Sequence, residues 1–166
     1  MYKRQGFTYT PKKANIKFTL GYGNVTSGAP GSSDDTSSES RIYQEALFPS
    51  KFGRFHITHR FRYEQRFVEN QDFRTRYRYN LFINIPINKA ELVSKAFYAA
   101  FYNELFINGQ EDIGDGRSVE LFDRNRTYLG LGYVLNDKIR FQLGWMNQKT
   151  TNFGKAQLQF SMHHKI

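Results

Sequence analysis

The chain has no cysteine, which removes disulfides, thiolate nucleophiles and cysteine-ligated metals from consideration and leaves the redox compartment open. Long apolar runs are missing too. Nothing approaches the roughly 18 consecutive apolar residues of a membrane helix, and the first twenty residues lack the continuous apolar core of a signal peptide. The remaining options are a water-soluble protein, a chain without its targeting segment, or one that meets a membrane through strands. Acidic groups are scarce, with 15 Asp and Glu against 24 Lys and Arg, for a formal net charge of +9. Such an excess can mark a nucleic-acid or acidic-membrane partner. Here the arginines alternate along strands rather than clustering on a helix or tail, so no nucleic-acid partner is expected.

What the chain has in abundance is aromatic surface, 17% of its 166 residues, enough to cover large apolar faces of a single domain spanning residues 1–166. From Arg54 to Phe67 the side chains alternate, with His59 also on the oily side. Phe55, Ile57, Phe61, Tyr63 and Phe67 fall on one side, and Arg54, His56, Arg60, Arg62, Glu64 and Arg66 on the other. Arg74 to Ile85 repeats the pattern, with Thr75, Tyr77, Tyr79, Leu81, Ile83 and Ile85 opposed to Arg74, Arg76, Arg78, Asn80, Phe82 and Asn84. A period of two decides for strand over helix. Further strands are expected at Gly6–Thr10, Ile16–Gly23, Arg41–Phe48, Lys95–Asn108, Phe122–Val134, Ile139–Met146 and Gln157–His163. The facing of Arg41–Phe48 is ambiguous, because Tyr43 and Leu47 oppose Ile42 and Phe48. Glycines inside the Phe122–Val134 strand are expected to make room for a neighbouring side chain or a bend. Val25–Ser40, rich in Ser, Gly and Asp, reads as a long mobile loop, and Pro49–Gly53 as a tight connection. The loop Gly109–Leu121 carries Glu111, Asp112, Asp115 and Glu120 at a spacing that does not match a calcium-hand loop, and no metal or other cofactor is expected.

Connections alternate between short (near Pro11, Pro49, Pro86 and Asn136) and long (near Val25, Val68 and Gly109), as in outer-membrane barrels. The expected fold is therefore all-β, an antiparallel up-and-down β-barrel of the outer-membrane type, with about nine strands in this chain and about 10–12 when complete. An odd count implies that at least one N-terminal strand and a signal peptide lie outside the chain. A soluble lipocalin-like ligand-binding barrel is the rival, with the oily face inward and the arginines in water. Strand length and the arginine-dominated polar rows favour the membrane form, since each Arg facing lipid at the midplane would cost about 2–4 kcal/mol.

The phrases His59–Phe67, Arg74–Tyr79, Tyr102–Asn108, Asp123–Tyr133 and Gly144–Gln148 resemble, in the same order, the bacterial family called domain of unknown function 2490. The resemblance implies an outer-membrane barrel that reaches the periplasm through a cleavable signal peptide. Its partners would be outer-membrane lipid and the barrel-assembly machinery, and its family has no assigned activity.

The candidate site is a polar cluster on the lumen face: Arg60, Arg62, Glu64, Arg66, Arg76, Arg78, Glu104, Arg124 and Arg126. Small barrels are generally filled by their own side chains, so a structural lattice is expected, with a small anion-selective pore as the alternative. Phe67, Tyr77, Tyr133 and Trp145 are expected at the bilayer interface. No catalytic residue is expected. His56, Thr58 and Glu64 share a face but sit among arginines, and His163 and His164 lack paired carboxylates, so a membrane hydrolase is disfavoured.

Overall fold

The structure, a computed structural model, describes residues 2–28 and 36–165. Its strands are β1 (Tyr2–Tyr9), β2 (Lys17–Gly28), β3 (Thr36–Phe52), β4 (Phe55–Val68), β5 (Arg74–Pro86), β6 (Phe97–Asn108), β7 (Phe122–Val134), β8 (Ile139–Lys149) and β9 (Gly154–His164). They form one nine-stranded antiparallel sheet in sequence order, with no helix among the described residues. The expected alternation of short and long connections is not the one observed: β5 and β6, across the turn expected to be short, are joined by residues 87–96, whereas β4 and β5, across the loop expected to be long, are joined by residues 69–73. The sheet is open in this structure, with β1 and β9 as its outer strands.

Two expectations are corrected. The polar run Val25–Ser40 is not a loop throughout, since Val25–Gly28 and Thr36–Ser40 are strand and pair with each other from Val25↔Glu39 to Gly28↔Thr36. The remaining residues of that run, 29–35, lie outside the described residues. Pro49–Gly53 is not a connection either. β3 runs through Pro49 to Phe52, and the turn is confined to Gly53–Arg54, where Gly53 takes a φ of +55°, a conformation glycine adopts without steric cost. Pro49 is tolerated because β2 pairs with β3 only as far as Leu47, so a missing N–H beyond that point removes no bond to β2.

The chain divides into two compact units, one comprising Met1–Leu47, Arg60–Tyr79 and Phe106–Asp123, the other Phe48–His59, Asn80–Leu105 and Arg124–Ile166. In the first, the buried side chains are chiefly ionic: Glu39, Arg62, Glu64, Arg66, Arg74 and Arg76. In the second a small apolar core gathers Ala96, Tyr98, Ala100, Tyr128, Val134 and Met146, with Leu92 and Tyr102 packed against it. Strand parity places Tyr98, Tyr102 and Glu104 of β6, and Arg124, Arg126 and Tyr128 of β7, on the face opposite the oily rows, and in the second unit the tyrosines of that face form the core.

Glycines make this packing possible. A Cβ at Gly132 would lie 2.1 Å from Cζ of Tyr98, and one at Gly21 would lie 2.1 Å from Cζ of Tyr43. Each tyrosine ring therefore lies flat on bare backbone of a strand, as the glycine-bearing alternation of β7 led one to expect. The ambiguous facing of β3 is resolved by the same contact: Tyr43 is buried over Gly21, and Ile42 points the other way and is exposed.

The opposite face of the sheet is oily and exposed. Phe7, Leu20, Phe61, Phe67, Tyr77, Leu129, Leu131, Leu143, Trp145, Leu158 and Phe160 are all exposed. Cross-strand ring pairs run along it between β4 and β5: Phe61–Tyr79, Tyr63–Tyr77 and, at the strand ends, Phe67–Phe73, with centroids 5.0, 5.2 and 5.3 Å apart.

Candidate functional site

The first unit holds a dense ionic cluster. Its centre is Glu64, 1% exposed, which β4 presents on the same face as Arg62 and Arg66 because residues two apart share a side of a strand. Arg76, on β5, donates to Oε2 of Glu64 through Nε at 2.9 Å and Nη2 at 2.6 Å, and to Oδ2 of Asp123 through Nη1 at 2.8 Å. Arg78 donates from Nη1 to Oε1 of Glu64 at 2.6 Å. Arg62 bonds Glu45 through Nε at 2.7 Å and again through Nη2, and its Nη1 lies 3.5 Å from Glu64 Oε1. Arg60 approaches the same Glu45 at 3.7 Å.

A second node forms around Glu39. Arg66 donates to it through Nε and Nη2 at 2.5 and 3.0 Å, and Arg41 through Nε and Nη2, both at 2.7 Å. The planar guanidinium fork suits such two-point bonding to carboxylates, and it also stacks on rings. Both uses occur here. The Arg78 and Arg76 guanidinium carbons lie 4.3 and 5.4 Å from the centre of the Phe106 ring, and that of Arg62 lies 4.3 Å from the centre of the Tyr43 ring. Cation–π contact disperses positive charge that the carboxylates do not neutralise.

Of the residues singled out in the sequence, the structure brings together Arg60, Arg62, Glu64, Arg66, Arg76 and Arg78. Glu104, Arg124 and Arg126 belong to the second unit, where Glu104 is buried and Arg126 donates from Nε to Oε1 of Gln148 at 2.8 Å. Sequence reasoning missed Glu39, Arg41, Glu45 and Asp123, which supply most of the partners. The signal was present as the alternation Glu39, Arg41, Tyr43, Glu45. It was hidden because the first of these lies in the serine-rich run. Phe67, Tyr77 and Trp145 are exposed on the oily face, and Tyr133 is half-buried against Phe97 at 4.8 Å.

The arrangement does not assemble a nucleophile and base. Both oxygens of Glu64 are held by guanidiniums, and Nε2 of His56 faces Glu91 at 3.5 Å. Among the described residues no group of three or more His, Asp or Glu side chains is placed to hold a metal ion. What the cluster can do chemically is cross-link neighbouring strands through buried charge, a geometry in which removing one partner is far more harmful than adding the pair was helpful.

A family model described as "Protein of unknown function (DUF2490)" matches residues 1–159. No curated protein and no solved structure matches the chain.

Proposed function

Given that the chain belongs to the DUF2490 family, we propose that it is a bacterial outer-membrane β-barrel protein whose ionic inner face is a structural filling and not a catalytic centre. One observation carries the reading. The oily rows of β4, β5 and β6 run Phe55 to Phe67, Thr75 to Ile85 and Phe97 to Ile107 without a single Asp, Glu, Lys or Arg, while the opposite rows bury arginines and glutamates. These strands are 14, 13 and 12 residues long, against about 9–11 needed to cross a bilayer. Water-soluble monomers rarely expose apolar patches beyond a few hundred Å², whereas hydrocarbon is the natural solvent for such a surface. Among the described residues no helix is long and apolar enough to cross a membrane, which leaves crossing by strands open.

The density of the Glu64 and Glu39 nodes favours a filled interior over a conducting one. Carboxylates there are occupied by guanidiniums at hydrogen-bond distance, and aromatic rings fill the gaps between them. Reconstitution into planar bilayers tests this directly. A filled interior gives no steady current, and a sustained anion-selective conductance overturns it in favour of a pore. Folding into lipid vesicles, read as a heat-modifiable gel band, supports the membrane reading, and recovery as a folded detergent-free soluble monomer refutes it.

A further inference from the structure

The second unit carries a recess of about 430 Å³ bounded by Phe82, Tyr102, Tyr128, Arg140, Ser161 and His163, within the size range of small-molecule sites. Its lining is of two kinds. Phe82 and Tyr102 meet with ring centroids 5.7 Å apart, and Tyr102 lies nearly parallel to Tyr128, at 5.0 Å and 8°. Across from these rings in strand order, β8 and β9 pair in the register Arg140↔His163 and Gln142↔Ser161. A guanidinium, an imidazole and a hydroxyl thus stand on adjoining rungs of one face.

The surroundings of Arg140 set this recess apart from the ionic cluster of the first unit. There Arg62, Arg66, Arg76 and Arg78 each bond a carboxylate. Among the described residues the Arg140 guanidinium makes no ion pair and no side-chain hydrogen bond, while its backbone pairs with Val134 and His163. Arg140, Phe82 and Tyr102 are half-buried, His163 is exposed and Tyr128 is buried, so the recess is wettest at His163 and driest at Tyr128. His163 is turned by its bond to Oε1 of Gln142 at 3.3 Å, and Tyr102 by its bond to Oε1 of Gln159 at 3.4 Å.

We propose that this recess binds a small aromatic carboxylate, its carboxylate on Arg140 beside His163 and its ring against Phe82 and Tyr102. A cation is disfavoured by the guanidinium. A neutral aromatic leaves Arg140 unpaired, and a dianionic phosphate finds one guanidinium and no apolar partner for the dry end. A planar carboxylate matches the guanidinium fork in two-point geometry, and a flat ring matches the wall.

The test is calorimetric titration of the full chain, folded in lipid nanodiscs, with 1-naphthoate and its neutral analogue 1-naphthamide, with empty nanodiscs subtracted. Saturable naphthoate binding is expected, with the amide at least tenfold weaker. Arg140→Gln should weaken naphthoate at least tenfold, Arg140→Lys less, and Tyr102→Leu should weaken acid and amide alike. Equal affinity for acid and amide, unchanged affinity in Arg140→Gln, or no saturable binding overturns the proposal. Should Arg140→Gln fail to fold, the acid and amide pair on the unaltered protein still decides. The recess lies wholly within one unit, and co-elution of the folded chain with the nanodisc lipid, read before titration, separates a failure of the membrane reading from a failure of the recess to bind.

Discussion

Glu64→Gln probes the ionic cluster at its most loaded point. The carboxylate is 1% exposed and accepts from Arg76 twice, at 2.9 and 2.6 Å, and from Arg78 at 2.6 Å, with Arg62 a further 3.5 Å away. Removing one partner of a buried ion pair costs about 3–5 kcal/mol, because the remaining charge stays desolvated without compensation. Two features place the expected loss near the lower bound. Glutamine keeps one acceptor oxygen, and Arg76 and Arg62 retain Asp123 and Glu45. The prediction is therefore a loss of about 3 kcal/mol, on the order of a hundredfold in the folding equilibrium. Urea unfolding in lipid vesicles, compared with the unaltered protein at matched slope, measures it. A second variant, Glu64→Gln with Arg78→Met, should recover part of the loss, since Arg78 bonds Glu64 and an apolar side chain of similar volume demands no counter-charge. A change below about 0.5 kcal/mol for Glu64→Gln would refute the reasoning, since that is the range of exposed surface substitutions.

Leu131, exposed on the oily face and paired with Leu143 of β8, should tolerate arginine poorly: about 2–4 kcal/mol if it meets hydrocarbon near the midplane. Unfolding in vesicles decides, and a shift within about 0.5 kcal/mol would mean that this face is in water. Gly132→Ala places a Cβ 2.1 Å from the Tyr98 ring, so overpacking of about 1–3 kcal/mol is expected. Truncating the ring as well, in Gly132→Ala with Tyr98→Leu, should relieve the clash, and a loss equal to the sum of the single variants would contradict the contact. In the connection between β5 and β6, the Lys51 ammonium bonded to Glu91 holds that carboxylate below its ordinary range, desolvation opposing and His56 assisting. A folded-state value that is lowered means the pair stabilises above the unfolded glutamate's pKa and loses that effect as pH falls through the folded value. Lys51→Met should move the Glu91 titration upward, as read by carboxyl-carbon chemical shifts, and an unmoved titration would count against the pairing.

How much of this was legible follows from where the information lies. β7 shows its full length in its alternation of Thr127, Leu129, Leu131 and Tyr133 with Arg124, Arg126 and Tyr128, because side-chain parity is a local property of a strand. β3 did not. Its first residues are Thr36, three serines and Glu39 with no apolar row, and their order comes from pairing with β2 and from Glu39 bonding Arg66. Those are contacts between residues far apart in sequence, which composition cannot report. The same cause hid the acidic partners of the arginine rows. Arginine parity on β4 and β5 showed that a cluster exists, while the identity of its counter-charges depended on which strand lies beside them. Tyr98 and Tyr128 were placed on the polar face correctly by parity, yet their role as an apolar core needed the glycines beneath them on neighbouring strands to be seen in register.

The account rests on the oily rows meeting lipid while the arginines face each other, and the single tryptophan reports on it. Trp145 is 56% exposed on the oily face of β8. The protein folded into vesicles of dibrominated phosphatidylcholine should show strong loss of tryptophan emission relative to unbrominated vesicles, because bromine quenches only on contact within the acyl region. Equal emission from both kinds of vesicle, with folded protein left in the aqueous phase, would contradict the account.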